Sequence, residues 1–119
     1  MATPIPHQGI IYLLDPCNFD SKRKVFVPSP PALAIPIDGK IRECNPPILF
    51  RSKCAIVKDK HGIYLLGGYA TDGKILTNRC ELYNPNEKSI ELPSMIHKHN
   101  CPTACIIGEQ IWVFSINFL

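Results

Sequence analysis

The feature that most constrains this chain is a unit of about fifty residues, written once in full and then begun again. The apolar run GIYLLGG at 62–68 ends in a glycine pair. A polar stretch follows, then CELYNP at 80–85 and IELPSM at 90–95. After a proline-containing link, TACIIGEQIWVF at 103–114 echoes AIVKDKHGIYLL at 55–66, with Ile111-Trp112 in the place of Ile63-Tyr64. A recurrence of this length, built on short apolar runs and a glycine pair, points to four-stranded antiparallel units arranged radially. Units of that kind rarely carry chemistry themselves; they present loops to partners.

Each element of the unit has its own physical reason. Residues 63–66 are apolar with a β-branched start, and Gly67 and Gly68 close them, which describes a buried strand rather than a helix. Paired glycines at a strand end permit positive φ or a close backbone approach, as neighbouring units near an axis would need. Over 79–83 the order Arg, Cys, Glu, Leu, Tyr sets Cys80 and Leu82 on the side opposite Glu81 and Tyr83. Asn84-Pro85-Asn86-Glu87 is turn chemistry, because proline pre-sets φ for the first central residue of a type I turn.

The ordered set resembles the kelch motif, most closely over 51–95. In that pattern a strand of small and apolar residues is followed by one ending in Gly-Gly. A third strand carries Glu-x-Tyr before an Asx-Pro turn, and a fourth, built on Trp, leads to Leu-Pro and Met. Here residues 54–57 match the first strand, and residues 63–68, with Gly67 and Gly68, the second. Glu81, Tyr83, Asn84 and Pro85 match the third strand and its turn, and Leu92, Pro93 and Met95 the exit of the fourth. Ile90 stands in the tryptophan place, and Ser115-Ile116 where the second copy should carry its glycines, which marks that copy as degenerate or interrupted. The resemblance implies an all-β fold of antiparallel four-stranded blades from a kelch-type β-propeller, incomplete at about two blades' worth of strands. It divides the chain into a degenerate partial blade with a proline-rich link (1–50), a complete repeat (51–95) and the truncated start of another (96–119).

In the N-terminal third, IIYLLDP at 10–16 reads as a third strand with its Asp-Pro turn, and KVFVPSP at 24–30 as a fourth strand with its exit. Residues 31–51 are proline-rich with little period and read as a long irregular link, with Asp38-Gly39 as a tight turn. The inventory is about eight strands, or two blades, whereas closure takes four to eight blades. Two apolar faces and unpaired strand edges are then left open, so self-association through the blade edges is expected. Trp112, Phe114 and Phe118 lie on the unfinished last strand, and the ending INFL has the look of an interruption.

Composition narrows the function. Twelve prolines and almost no helix-period stretch agree with all-β structure. The net charge is +3, and no basic face interleaved with aromatics appears, so nucleic acid is not the expected partner. Lys22-Arg23-Lys24 is the only charge run, and it reads as a solvated turn. No apolar stretch approaches the ~18 residues of a membrane helix. The start MATPIPHQG lacks the charged and apolar regions of a secretory signal. The six cysteines show no C-x-x-C spacing, so reduced thiols and a cytoplasmic setting are expected. Cys54, Cys80 and Cys105 fall on predicted strands, where a free cysteine behaves as a small buried apolar residue.

The sharpest chemical alternative is HKHNCPTAC at 97–105, where His97, His99, Cys101 and Cys105 are four zinc-competent ligands. In an extended segment they share one side, but residues two apart are separated by about 6–7 Å along the chain. Zinc needs donors within ~2.3 Å of one point, so the segment would have to fold back on itself. A link followed by an inner strand accounts for it more simply, and no cofactor is expected. Nucleophile elbows, H-E-x-x-H and phosphate loops are all missing, so catalysis is not expected either.

Topology localises a binding function. In an up-and-down four-stranded unit the first-to-second and third-to-fourth turns share one end, and here they are short (58–61 and 84–87). The second-to-third loop (69–78) and the link to the next unit (96–102) share the other end, and are longer and more decorated. In kelch proteins this second end commonly meets the partner. The resemblance thus implies a protein or peptide partner contacted by Tyr69, Thr71, Asp72, Lys74, His97, Lys98, His99 and Asn100. Many family members are substrate receptors of cullin-type ubiquitin ligases or bind actin, roles that need accompanying segments such as a BTB domain.

Overall fold

Short apolar alternations punctuated by glycine, proline and Asx turns make strands throughout, and among the described residues no helix forms. The structure is a computed structural model that describes residues 4–14, 17–20, 22, 25–28, 32–49, 51–70 and 75–115. The N-terminal region contains β1 (Pro4–His7), β2 (Ile10–Leu13), β3 (Cys17–Asp20), β4 (Val25–Pro28), β5 (Ala32–Pro36) and β6 (Arg42–Cys44). The central region contains β7 (Arg51–Ser52), β8 (Ala55–Asp59), β9 (Gly62–Leu66), β10 (Tyr69–Ala70), β11 (Ile75–Leu76), β12 (Cys80–Tyr83) and β13 (Ile90–Leu92). A last hairpin is made of β14 (Thr103–Ile107) and β15 (Gln110–Phe114).

Two four-stranded antiparallel meanders share one plan. The first sheet runs β1-β2-β5-β6 and the central sheet β8-β9-β12-β13. In each, the connection between second and third strands carries a further ribbon. The first sheet inserts the β3–β4 hairpin, and the central one inserts β10 and β11, which join β7 in a three-stranded sheet.

The layers stack face to face, which follows from the period-2 alternation of apolar residues. Ile5, Tyr12, Leu14, Ala32 and Ala34 of the first sheet pack with Ile63, Leu65 and Tyr83 of the central one. The opposite face of the central sheet offers Ala55, Val57, Leu66 and Cys80 to Ala104, Ile106, Ile111 and Val113 of the last hairpin. The central sheet is therefore covered on both faces. Lys58 lies across the first joint, where its ammonium donates to the Pro6 carbonyl.

Several expectations for the N-terminal third are corrected. Residues 10–13 form a second strand, paired with β1, because Gln8-Gly9 makes a tight turn with both residues at positive φ. Residues 25–28 do not form a fourth strand of the sheet; they pair with β3 in the inserted hairpin. Residues 32–36 and 42–44, read as irregular link, are the third and fourth strands, and Ile37-Asp38-Gly39 makes the turn between them. In the central sheet Tyr83 is buried, but Tyr64, on a strand read as buried, is only half-buried, since it faces the two-stranded hairpin and holds its hydroxyl near Asp59. Of the three strand cysteines only Cys80 is buried. Cys54 precedes β8 and is half-buried, and Cys105 points outward from β14.

The glycine pair is required twice over. Gly67 and Gly68 have φ of 65° and 85°, where side chains are strained. A Cβ on Gly68 would stand 2.6 Å from the Ser52 carbonyl oxygen and 2.8 Å from Cys54 Cα. The close approach is thus to residues 52–54, the segment that runs from β7 into β8. Gly68→Ala should cost roughly 2–4 kcal/mol, combining left-handed strain with overpacking. Gly39→Ala is the control, since it shares the positive φ but meets nothing within 4 Å, and should cost only about 1–2 kcal/mol by chemical denaturation.

Candidate functional site

The glycine end of the central sheet is built as a rigid platform. Gly67 N–H donates to the Arg79 carbonyl at 3.0 Å, and Thr77 N–H to the Gly68 carbonyl at 2.9 Å. Met95 N–H donates to the Asn78 carbonyl at 2.9 Å, while the Asn78 side-chain amide donates to the Met95 carbonyl at 2.7 Å. The motif residue Met95 also sets its methyl against Gly67, filling the space that a side chain there would take. Pro93 follows directly on the end of β13.

Beneath the platform lies a buried ion pair. The Arg51 guanidinium and the Glu81 carboxylate are 3.0 Å apart, with side chains 3% and 1% exposed. Arg51 also donates to the carbonyls of Arg79 at 2.6 Å and Gly67 at 3.3 Å. Glu81 also accepts from the backbone N–H groups of Ile48 at 2.8 Å and Leu49 at 3.3 Å. The pair therefore ties the entering segment, the second strand and the third strand together. Sequence reasoning singled out Glu81 but missed Arg51; an acidic residue alternating with buried apolar ones was the available signal that a cation must lie opposite.

The opposite end is closed by turn chemistry. Asn84 Oδ1 accepts from the N–H groups of Asn86 and Glu87, and the Pro85 carbonyl accepts from Asn45 N–H at 2.9 Å. Tyr83 donates its hydroxyl to the Asn45 carbonyl.

Above the glycine pair the expected contact residues divide. Tyr69, on β10 between β7 and β11, donates its hydroxyl to Asn100 Oδ1 at 2.7 Å, which joins the two long loops. Lys53 Nζ sits 5.9 Å from the centre of the Tyr69 ring. His99 Nδ1 lies 2.7 Å from Ser115 Oγ, pinning the second loop to the end of β15. His97 and Lys98 are exposed on the same loop. Thr71, Asp72 and Lys74 lie outside the described residues. Lys53 and Ser115 carry no sequence signal that points to this end; Lys53 holds φ at 53° although it is not glycine, as Cys101 does at 48°.

Among its described residues, this end carries more free positive charge than negative, and Asp72 of the same loop lies outside them. Residues 51–54, 67–70, 75–79 and 93–102 include no Asp or Glu. Arg51 is neutralised by Glu81, and Arg79 by Glu91 on the adjoining strand at 2.8 Å. Lys53 and Lys98 add positive charge beside Tyr69 and Asn100. Among the described residues, no group of three or more His, Cys, Asp or Glu side chains gathers as a metal ion would require. Cys105 is exposed on the outer face of β14, and His99 is engaged with Ser115. No helix of the described residues is long and apolar enough to cross a membrane.

No protein-family model and no curated protein matches this chain. What the loop end can do therefore follows from its own groups. An aromatic ring, an amide, an imidazole and two ammonium groups stand on loops clamped by backbone hydrogen bonds, a set suited to recognition more than to bond-breaking.

Proposed function

We propose that this chain is a kelch-type β-propeller segment that acts as a protein-interaction module, binding a protein or peptide at the loop end that carries Tyr69 and Asn100. The observation that supports this most is the hydrogen bond between those two residues. It joins the second-to-third connection of the central sheet to the link that leads to the last hairpin, and it stands on a framework held by the glycine pair and the Arg51–Glu81 pair. Aromatic and amide groups presented on anchored loops lose little entropy on binding. Successive sheets built to one plan are what a radial repeat needs, since each layer covers the face of the next. The module is non-enzymatic and works in the cytoplasm. Links to ubiquitin ligases or the cytoskeleton rest on the kelch resemblance alone.

A peptide library displayed on phage and selected against the purified chain tests the binding end. Enriched peptides should lose at least about tenfold in affinity against Tyr69→Ala or Asn100→Ala, equivalent to about 1.4 kcal/mol. They should bind His61→Ala, in the turn at the opposite end, as they bind the parent chain. Peptides indifferent to Tyr69 and Asn100, or no enrichment at all, would overturn the assignment.

A further inference from the structure

The three layers share one register, and this makes the two outer faces of the stack the two halves of a joint the molecule already uses twice. Tyr12, Tyr64 and Trp112 hold the same position on the second strand of their layers, opposite Ile5, Val57 and Cys105. Tyr12 and Tyr64 point toward the layer that follows in sequence, and Trp112 points the same way, away from the central sheet. Tyr12 is buried at 5% exposure under the central sheet, and Tyr64 is half-buried under the two-stranded hairpin. Trp112 has no layer over it among the described residues, and is 47% exposed beside Phe114 at 48%.

The other half of the joint repeats in the same way. Ile63 and Leu65 of β9 receive the first sheet and are each 1% exposed. Their counterparts in the first sheet, by the shared run Ile-Tyr-Leu-Leu at 11–14 and 63–66, are Ile11 and Leu13. Ile11 is 44% exposed, and with Leu33 and Ile35 it forms an apolar face flanked by Pro4 and Pro6. One end of the stack thus offers an aromatic face that inside the molecule is covered by a sheet. The other end offers the kind of sheet face that covers it.

The geometry points to a second copy of this chain as the occupant. The outer face of the last hairpin, through Trp112 and Phe114, docks on the outer face of the first sheet of the next copy, through Ile11 and Leu13. The contact is head-to-tail, so it joins two different surfaces and continues into a ring or an open chain of copies. The inference rests on the shared register of the layers, not on the loop end, and peptide binding at Tyr69 neither requires nor prevents it.

Sedimentation of the full chain at micromolar concentration, with emission from Trp112, the single tryptophan, tests the contact. The parent chain should sediment as species larger than a monomer, its emission shifting to the blue as concentration rises. Trp112→Glu and Ile11→Glu should each weaken association at least about tenfold. Mixed in equal amounts, the two variants should form a one-to-one dimer that stops there, because each keeps the half that the other lacks. A monomeric parent chain would overturn the proposal. So would undiminished association of Ile11→Glu, which would mean hairpin-to-hairpin or edge pairing, or a mixture that forms no dimer. If hydrogen exchange over 62–66 shows that Trp112→Glu does not fold, Phe114→Lys takes its place on the same face.

Discussion

Tyr83→Ala is expected to cost about 3–5 kcal/mol, the range for removing a large aromatic side chain from a packed core. Tyr83 is 1% exposed and stands in the joint between the first and central sheets, against residues of both. Its hydroxyl reaches across that joint to the Asn45 carbonyl and lies 3.5 Å from Cys44 Sγ. For a domain whose whole stability is about 5–15 kcal/mol, such a loss is a large share of the total. Lys60→Ala, in an exposed turn, should move stability by less than ~0.5 kcal/mol. Urea unfolding of both variants makes the comparison, and equal, mild effects would contradict this packing. Burial, followed by the hydrogen bond and charge of Cys44, raises the Tyr83 phenol above its ordinary value of 10.0. The unfolded chain then loses this proton above about pH 10 while the folded chain keeps it, so stability is complete below that pH and falls above it. Tyr83→Phe should flatten the alkaline fall, leaving the part due to Tyr12, Tyr64 and Cys80, which burial also raises.

Breaking the Arg51–Glu81 pair should be about as damaging. Arg51→Ala or Glu81→Ala leaves one buried charge uncompensated, at a cost of about 3–5 kcal/mol. Arg51→Lys should rescue little, because a single ammonium cannot reach Glu81 and the carbonyls of Gly67 and Arg79 together, as the planar fork does. Replacing both partners with apolar residues often restores stability in other buried pairs. Here Arg51→Met with Glu81→Leu should recover only part of it. The N–H groups of Ile48 and Leu49 and the carbonyl of Gly67 would lose partners that the ion pair now supplies. Denaturant midpoints at unchanged slope are the measurement, and full recovery in the double variant would show that these backbone bonds carry no weight.

The amino-acid order by itself determined the all-β character and the strands of the central sheet. It also placed the turn at Asn84-Pro85 and the need for glycine at 67 and 68. These depend on local physics: the period-2 alternation, the φ that proline sets, and the freedom of a residue without Cβ. The same local logic misread the N-terminal third. Asp15-Pro16 looks like the turn after a third strand, and it outweighed the run Ile11-Tyr12-Leu13-Leu14, which repeats Ile63-Tyr64-Leu65-Leu66 letter for letter. Residues 32–36 and 42–44 gave no strand signal because prolines and isolated charges surround them. They become strands through pairing with β2 and with each other, and Ala32 and Ala34 are buried because the central sheet covers them. The pairing of Arg51 with Glu81, thirty positions on, and that of Tyr69 with Asn100 were likewise decided only by the tertiary structure. Long-range partners are chosen by which loops the sheets bring to one end, and the spacing of letters along a strand carries no record of that choice.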